Sequence, residues 1–125
     1  MPTAHRIHHD LYDGPKTLDD PGDGGVIRAV EDLSICEMVS GTVAESRTLA
    51  NPSKPGLRLV LRMVTNGGGA ITVTAANGLT VSLSTSTVFN AVGDMLSLIS
   101  VTHTVGDPRT YRWQTEDGNV GVTIA

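Results

Sequence analysis

The chain has 125 residues, 39% of them hydrophobic but only 3% aromatic, and a formal net charge of −4. That length gives one domain with room for a tail. No apolar run approaches the ~18 residues of a membrane-spanning helix, the opening MPTAHRIHHD lacks the apolar stretch of a signal peptide, and the single Cys36 excludes an internal disulfide or a cysteine zinc finger.

A lone thiol fits a reducing cytoplasm. The acidic balance, with no basic cluster interleaved with aromatics, argues against nucleic-acid binding. Threonine (15), valine (14) and glycine (14) favour strands and turns. The charge is uneven: residues 1–50 carry nine acids against four Lys/Arg, residues 51–125 four against five.

Residues 1–25 read as an extended arm. Pro2, Pro15 and Pro21, with four glycines between 14 and 25, break any regular element. Past Met1 the only sizeable apolar groups are Ile7, Leu11, Tyr12 and Leu18. Ordering about 25 residues costs roughly 1–2 kcal/mol each in backbone entropy. Four apolar side chains at ~1.5–3 kcal/mol each do not offset that. The arm is therefore expected to order against a neighbouring subunit or a partner. The expected contacts are Ile7, Leu11, Tyr12 and Leu18 with the acids Asp19, Asp20 and Asp23.

From residue 26 to 125 short strands follow one another. GVIRAV (25–30), LSICEMV (33–39) and TVAESRTL (42–49) precede a breaker, ANPSKPG (50–56). LRLVLRMV (57–64) sets Leu57, Leu59, Leu61 and Met63 on one face and Arg58, Val60, Arg62 and Val64 on the other, the period of a half-buried strand. TNGGG (65–69) reads as a flexible turn. AITVTA (70–75), an Asn77-Gly78 hairpin turn and LTVSLS (79–84) come next. STSTVF (84–89) is less regular. DMLSLISVTH (94–103) is long and apolar, expected to be buried on both faces or bulged near 97–100. TYRWQT (110–115) places Tyr111 and Trp113 together, and NVGVTIA (119–125) closes the chain.

Eight to ten strands at about ten-residue spacing predict an all-β fold. The expected form is an antiparallel β-sandwich or jelly-roll-like domain, with the arm in front. Antiparallel pairing is expected because no connection is long enough for a helical crossover.

No catalytic set assembles. His5 and His9 are four apart, but Arg6 follows His5 where a metalloprotease helix carries Glu, so His5, His8 and His9 read as a polar tail and no metal is expected. The spacing of Asp19, Asp20 and Asp23 does not fit a calcium loop. Gly67–Gly69 lacks the Lys-Ser/Thr of a phosphate loop. His103 and Asp107 have no serine in a nucleophile elbow. Cys36 is expected as a buried structural thiol. Trp113 is expected to anchor packing rather than stack on a sugar. The chain is thus expected to be non-enzymatic and to need no cofactor.

Residues 49–113 run through a Pro/Gly turn, an L-R-L strand, a glycine-rich turn, I-T-V-T, Phe89, Gly93-Asp94, an apolar strand and Tyr-Arg-Trp. This order resembles the small β-domains of tailed-bacteriophage structural proteins, namely capsid decoration (cement, head-stabilising) proteins and fibre modules. The resemblance implies a virion component made in the host cytoplasm. It would bind the major capsid protein on the capsid exterior and brace subunit boundaries, commonly as a homo-oligomer (dimer or trimer), with no nucleic acid and no membrane as partner. The alternative it leaves is a receptor- or glycan-binding module of a fibre or spike.

Overall fold

The computed structural model describes residues 16–80, 83–104, 107–116 and 119–125. Ten strands are present: β1 (Lys16–Leu18), β2 (Gly25–Ile27), β3 (Leu33–Ser40), β4 (Glu45–Leu49), β5 (Arg58–Asn66), β6 (Ile71–Ala75), β7 (Ser86–Phe89), β8 (Met95–Thr104), β9 (Asp107–Thr115) and β10 (Thr123–Ile124). They form two five-stranded sheets. Sheet A runs β1-β3-β5-β8-β9 and sheet B runs β10-β7-β6-β4-β2. Side chains from both sheets make one core, so the architecture is a β-sandwich.

The core is aliphatic, as the composition requires. Leu57, Leu59, Leu61 and Met63 are all fully buried, and Arg58 and Arg62 face out. Ile71 and Val73 of β6, Phe89 of β7 and Leu96 and Leu98 of β8 meet them. Trp113 of β9 is fully buried in the core and donates its indole N–H to the carbonyl of Ala50 at 2.9 Å.

The sandwich is not purely antiparallel, which corrects the expected pairing. Of the eight strand pairs among the described residues, four are parallel: β1 with β3, β3 with β5, β2 with β4, and β4 with β6. The chain alternates between sheets through its first six strands. The crossover between two parallel strands of one sheet is therefore a strand of the other sheet. No helix is needed, because the facing sheet supplies the return path. From β7 onward the pairs are antiparallel, β6 with β7 and β5 with β8 with β9.

Residues 16–25, read from sequence as part of the arm, contribute β1 and the first residue of β2. The strand expected over 79–84 is absent at 79–80 and 83–85. The strand that pairs with β6 is β7, with Thr74 opposite Ser86. Leu79 turns inward and is fully buried, while its carbonyl accepts the amide of Thr115 on β9. Asn77 donates its side-chain amide to the Tyr111 carbonyl at 3.0 Å. The 77–79 segment thus covers the outer edge of β9, a sheet edge otherwise open to pairing with another chain. Leu83 holds φ at +62° in this connection, a sparsely allowed backbone for a leucine.

The glycine run is packed rather than open. The Gly67 amide donates to the Ser40 carbonyl at 3.1 Å and the Gly69 amide to the Gly41 carbonyl at 3.0 Å. A Cβ at Gly69 would lie 1.8 Å from the Val43 carbonyl oxygen. The bulge in β8 falls between Thr102 and Thr104 rather than near 97–100. Leu96, Leu98 and Ser100 of β8 are buried, and Met95, Ser97, Ile99 and Val101 are half-buried.

Candidate functional site

Two features stand apart from ordinary packing: a buried ion cluster between the sheets, and the outer face of sheet A.

The cluster centres on Arg47. In β4, Arg47 shares inward parity with Leu49, so its guanidinium enters the sandwich and is fully buried. An isolated buried charge is not tolerated, so a carboxylate must meet it. Asp20, in the connection from β1 to β2, does so as a fork: Arg47 Nε donates to Oδ1 at 2.7 Å and Nη2 to Oδ2 at 3.0 Å. Nη2 also donates to the Val39 carbonyl at 3.0 Å, and Nη1 lies 3.0 Å from Glu45 Oε1.

Asp20 accepts two backbone amides besides, Val39 at 2.9 Å and Gly22 at 3.1 Å. Where β1 ends, the Asp20 side chain thus continues the edge pairing of β3. Burial alone would raise the Asp20 carboxyl; the hydrogen bonds from Arg47, Val39 and Gly22 outweigh it and hold the carboxyl below its usual range. Burial likewise acts to lower the pKa of Arg47, but Asp20 and then Glu45 outweigh it and keep the guanidinium charged. The cluster is a clamp joining the β1–β2 connection, sheet A through Val39 and sheet B through Arg47.

Cys36 lies inside the same region, fully buried, with its thiol 3.9 Å from the Asp19 carbonyl. Burial, with the Asp20 charge adding to it, pushes the thiol up to about 11. Such a thiol is not a nucleophile at neutral pH.

The residues expected at a partner surface fall as follows. Ile7, Leu11 and Tyr12 lie outside the described residues, as do His5, His8 and His9. Leu18 is partly buried and packs on the core. Asp19 is exposed. The Asp20 carboxylate is occupied by Arg47 and two amides, and Asp23 accepts the Ser46 amide at 2.8 Å. Trp113 is fully buried, which closes it to sugar stacking and removes the residue on which a glycan-binding reading leaned. His103 sits half-buried on β8. Among the described residues no group of three metal-ligating side chains comes together.

The second feature was missed from the sequence. The two sheets present unlike outer faces. Sheet B shows mainly hydroxyls, with one valine in each row: Val26, Thr48, Thr74 and Ser86 in one register row and Ser46, Thr72, Val88 and Thr123 in the next. That is an ordinary wet face. Sheet A sets Leu33, Arg58, Ile99 and Gln114 in one row and Ile35, Val60 and Ser97 in the next, with Val101 beside Arg112 and Met95 beside Arg62. Leu33 is 39% exposed and Val39 47%. The arginines are loosely partnered, Arg62 with Glu37 at 3.2 Å and Arg58 with Glu116 at 3.5 Å. An apolar stripe studded with arginine is what an association surface presents. The signal was readable: Val60 and Val64 stand out of phase with the leucines before TNGGG, and Met95, Ile99 and Val101 take three of the outward positions of β8, with Ser97 between them.

No protein-family model matches the chain, and no curated protein matches it.

Proposed function

We propose that the chain is a non-enzymatic structural component of a virion. In this reading it is a decoration (cement) protein of a tailed bacteriophage that binds the capsid exterior through the major capsid protein and braces subunit boundaries, acting as a homo-oligomer. The observation that carries the reading is the outer face of sheet A, apolar and arginine-bearing on a domain whose opposite face is hydroxyl-lined. The resemblance of residues 49–113 to phage structural β-domains supplies the context.

The mechanism is mechanical. A ligand that binds only the assembled shell stabilises it by mass action. Each copy that covers apolar surface across a subunit boundary adds contacts that expansion or internal pressure must also break. Burial of apolar surface, at about 25 cal/mol per Å², supplies the drive, and the arginines fix orientation on an acidic counterpart.

The test uses capsids of the phage whose genome encodes the chain, stripped of minor proteins. The purified full chain is mixed with them and the shells are sedimented. Saturable binding and a raised temperature of shell disruption are expected. Absence of binding overturns the reading. A Val60→Lys/Ile99→Lys variant, folded by circular dichroism, is expected to bind at least tenfold more weakly; unchanged binding would remove sheet A from it.

A further inference from the structure

The two ends of the sandwich are unlike. One end gathers the connections from β1 to β2, β3 to β4, β5 to β6 and β7 to β8. The other gathers those from β2 to β3, β4 to β5 and β6 to β7. Among the described residues, charge divides between them. The first end holds Asp19, Asp20, Asp23, Glu45 and Asp94 against Arg47, which is buried and already bound to Asp20 and Glu45. The second holds Lys16, Arg28, Lys54 and Arg112 against Glu31 and Asp32. On the sheet A face between them, Arg62 is matched by Glu37 and Arg58 by Glu116.

The three most exposed large apolar side chains among the described residues all lie at the acidic end. Val43 (69% exposed) stands in the β3–β4 connection and Val92 (62%) in the β7–β8 connection, and Val120 (53%) bridges to Met95 at the start of β8. No local rule puts valine at a solvated turn, where glycine, asparagine and aspartate serve better. The backbone around the three is pinned. The Val43 carbonyl lies against Gly69, the Gly93 amide beside Val92 donates to the Met63 carbonyl at 2.8 Å, and the Val120 amide donates to the Met95 carbonyl at 2.9 Å. Apolar groups on a pinned backbone lose little freedom when covered. At the basic end Val30 and Leu83 are exposed in two of the connections.

These features select the partner. Two acidic ends do not suit one another, because like charges would face across the contact. The complement is a basic surface with apolar groups among its cations, and the opposite end of the same domain is one. We infer that copies of this domain associate head to tail, the end bearing Val43, Val92 and Val120 seated on the end of the next copy that bears Arg28, Val30 and Lys54.

Such a contact is heterologous. A pair still has one acidic and one basic end free, so the series grows into a ring or an open filament and does not stop at two. Five strand spacings across two stacked sheets give an end of about 25 by 20 Å. Covering it on both partners removes about 1,000 Å², at the small end of specific interfaces, so the association is weak and concentration sets its extent. The contact leaves the outer face of sheet A open, and it stands or falls independently of the capsid reading.

The test is sedimentation velocity on the full chain. The weight-average mass is expected to rise with concentration towards about 1 mM and to pass that of a dimer. The association is expected to weaken at least tenfold between about 0.02 M and 0.5 M salt. Two variants, each checked for folding by circular dichroism, reverse the character of one end apiece: Val43→Lys/Val92→Lys and Arg28→Glu/Lys54→Glu. Each alone is expected to stay monomeric, and an equal mixture is expected to associate again, because each supplies the end that the other has lost. A native chain that stays monomeric overturns the inference, and so does a mass that levels off at a dimer, which would mean a twofold contact. Variants that associate as the native chain does, or a mixture no heavier than its separate components, overturn it as well.

Discussion

Cutting the ion cluster from its two sides should have unequal costs. In Asp20→Ala the Arg47 guanidinium stays fully buried, left with the Val39 carbonyl and one carboxylate contact, Glu45 at 3.0 Å. The amides of Val39 and Gly22 lose their acceptor at the same stroke. Removing one partner of a buried pair costs about 3–5 kcal/mol. In Arg47→Met the methionine occupies the volume of the arginine stem, and Asp20 keeps both amide donors and an 18% exposed side chain. That variant should lose about 1–3 kcal/mol. Urea unfolding of the full chain reads the difference. With a slope of roughly 1.5 kcal/mol/M, a 3 kcal/mol loss lowers the midpoint by about 2 M. The double variant should fall short of the summed single costs by at least about 1.5 kcal/mol. Additive costs, or an Arg47→Met loss larger than that of Asp20→Ala, would refute a clamp built around a buried guanidinium.

Acid should act through the same carboxylate. Its folded pKa lies below the ordinary 3.8, so its stabilisation is complete above that value and is lost as pH falls through the folded one. The gap between native chain and Arg47→Met in urea midpoint should be constant from pH 7 to 5 and shrink below about pH 4; a gap that is flat to pH 2 contradicts this. Trp113→Ala should cost about 3–5 kcal/mol, and Trp113→Phe, which strands the Ala50 carbonyl, about 1–2 kcal/mol, measured by thermal unfolding. Because Trp113 is the one tryptophan, acrylamide should quench the native fluorescence weakly, and strong quenching would put the indole outside the core. Gly69→Ala should lower the melting temperature by several degrees, since its Cβ has no room beside the Val43 carbonyl; an unchanged melting temperature would mean that the 41–44 loop yields freely.

The strands most legible in the sequence were those whose two faces differ most. In β5 the alternation of Leu59, Leu61 and Met63 with arginines and valines, begun by Leu57 just before it, fixes both element and inward face, because period two has one solution when one side must be dry. The direction of pairing was not legible. Alternation is the same for parallel and antiparallel neighbours, and the rule that parallel strands need a helical crossover fails when the opposite sheet carries the return. LTVSLS alternates as well as any strand in the chain, yet Leu79 enters the core and its carbonyl serves β9, so tertiary demand overrides the local pattern. Asp20 sits in a proline- and glycine-rich stretch that reads as an extended arm, and its carboxylate as a contact for a partner. The clue lay 27 residues on, in Arg47, an arginine in phase with the core Leu49 and hence in need of a buried anion.

The alternation of the first six strands makes β1 and β2 the outermost winding, one strand on the edge of each sheet. Their lengths are three residues each, too short to template another chain. Behind them lie β3 and β4, and β3 is an eight-residue strand, LSICEMVS, whose pairing with β5 shifts register only at Met38/Val39. The first winding is therefore a guard on the sticky side of the sandwich, and the Asp20–Arg47 clamp is its fastening. Loosening that fastening would unmask two parallel strand edges at once, while the hydrophobic interior of the remaining strands stayed largely assembled. A chain nicked or unlatched near residue 20 should then fail by growing edge to edge, strand upon strand, long before it fails by melting.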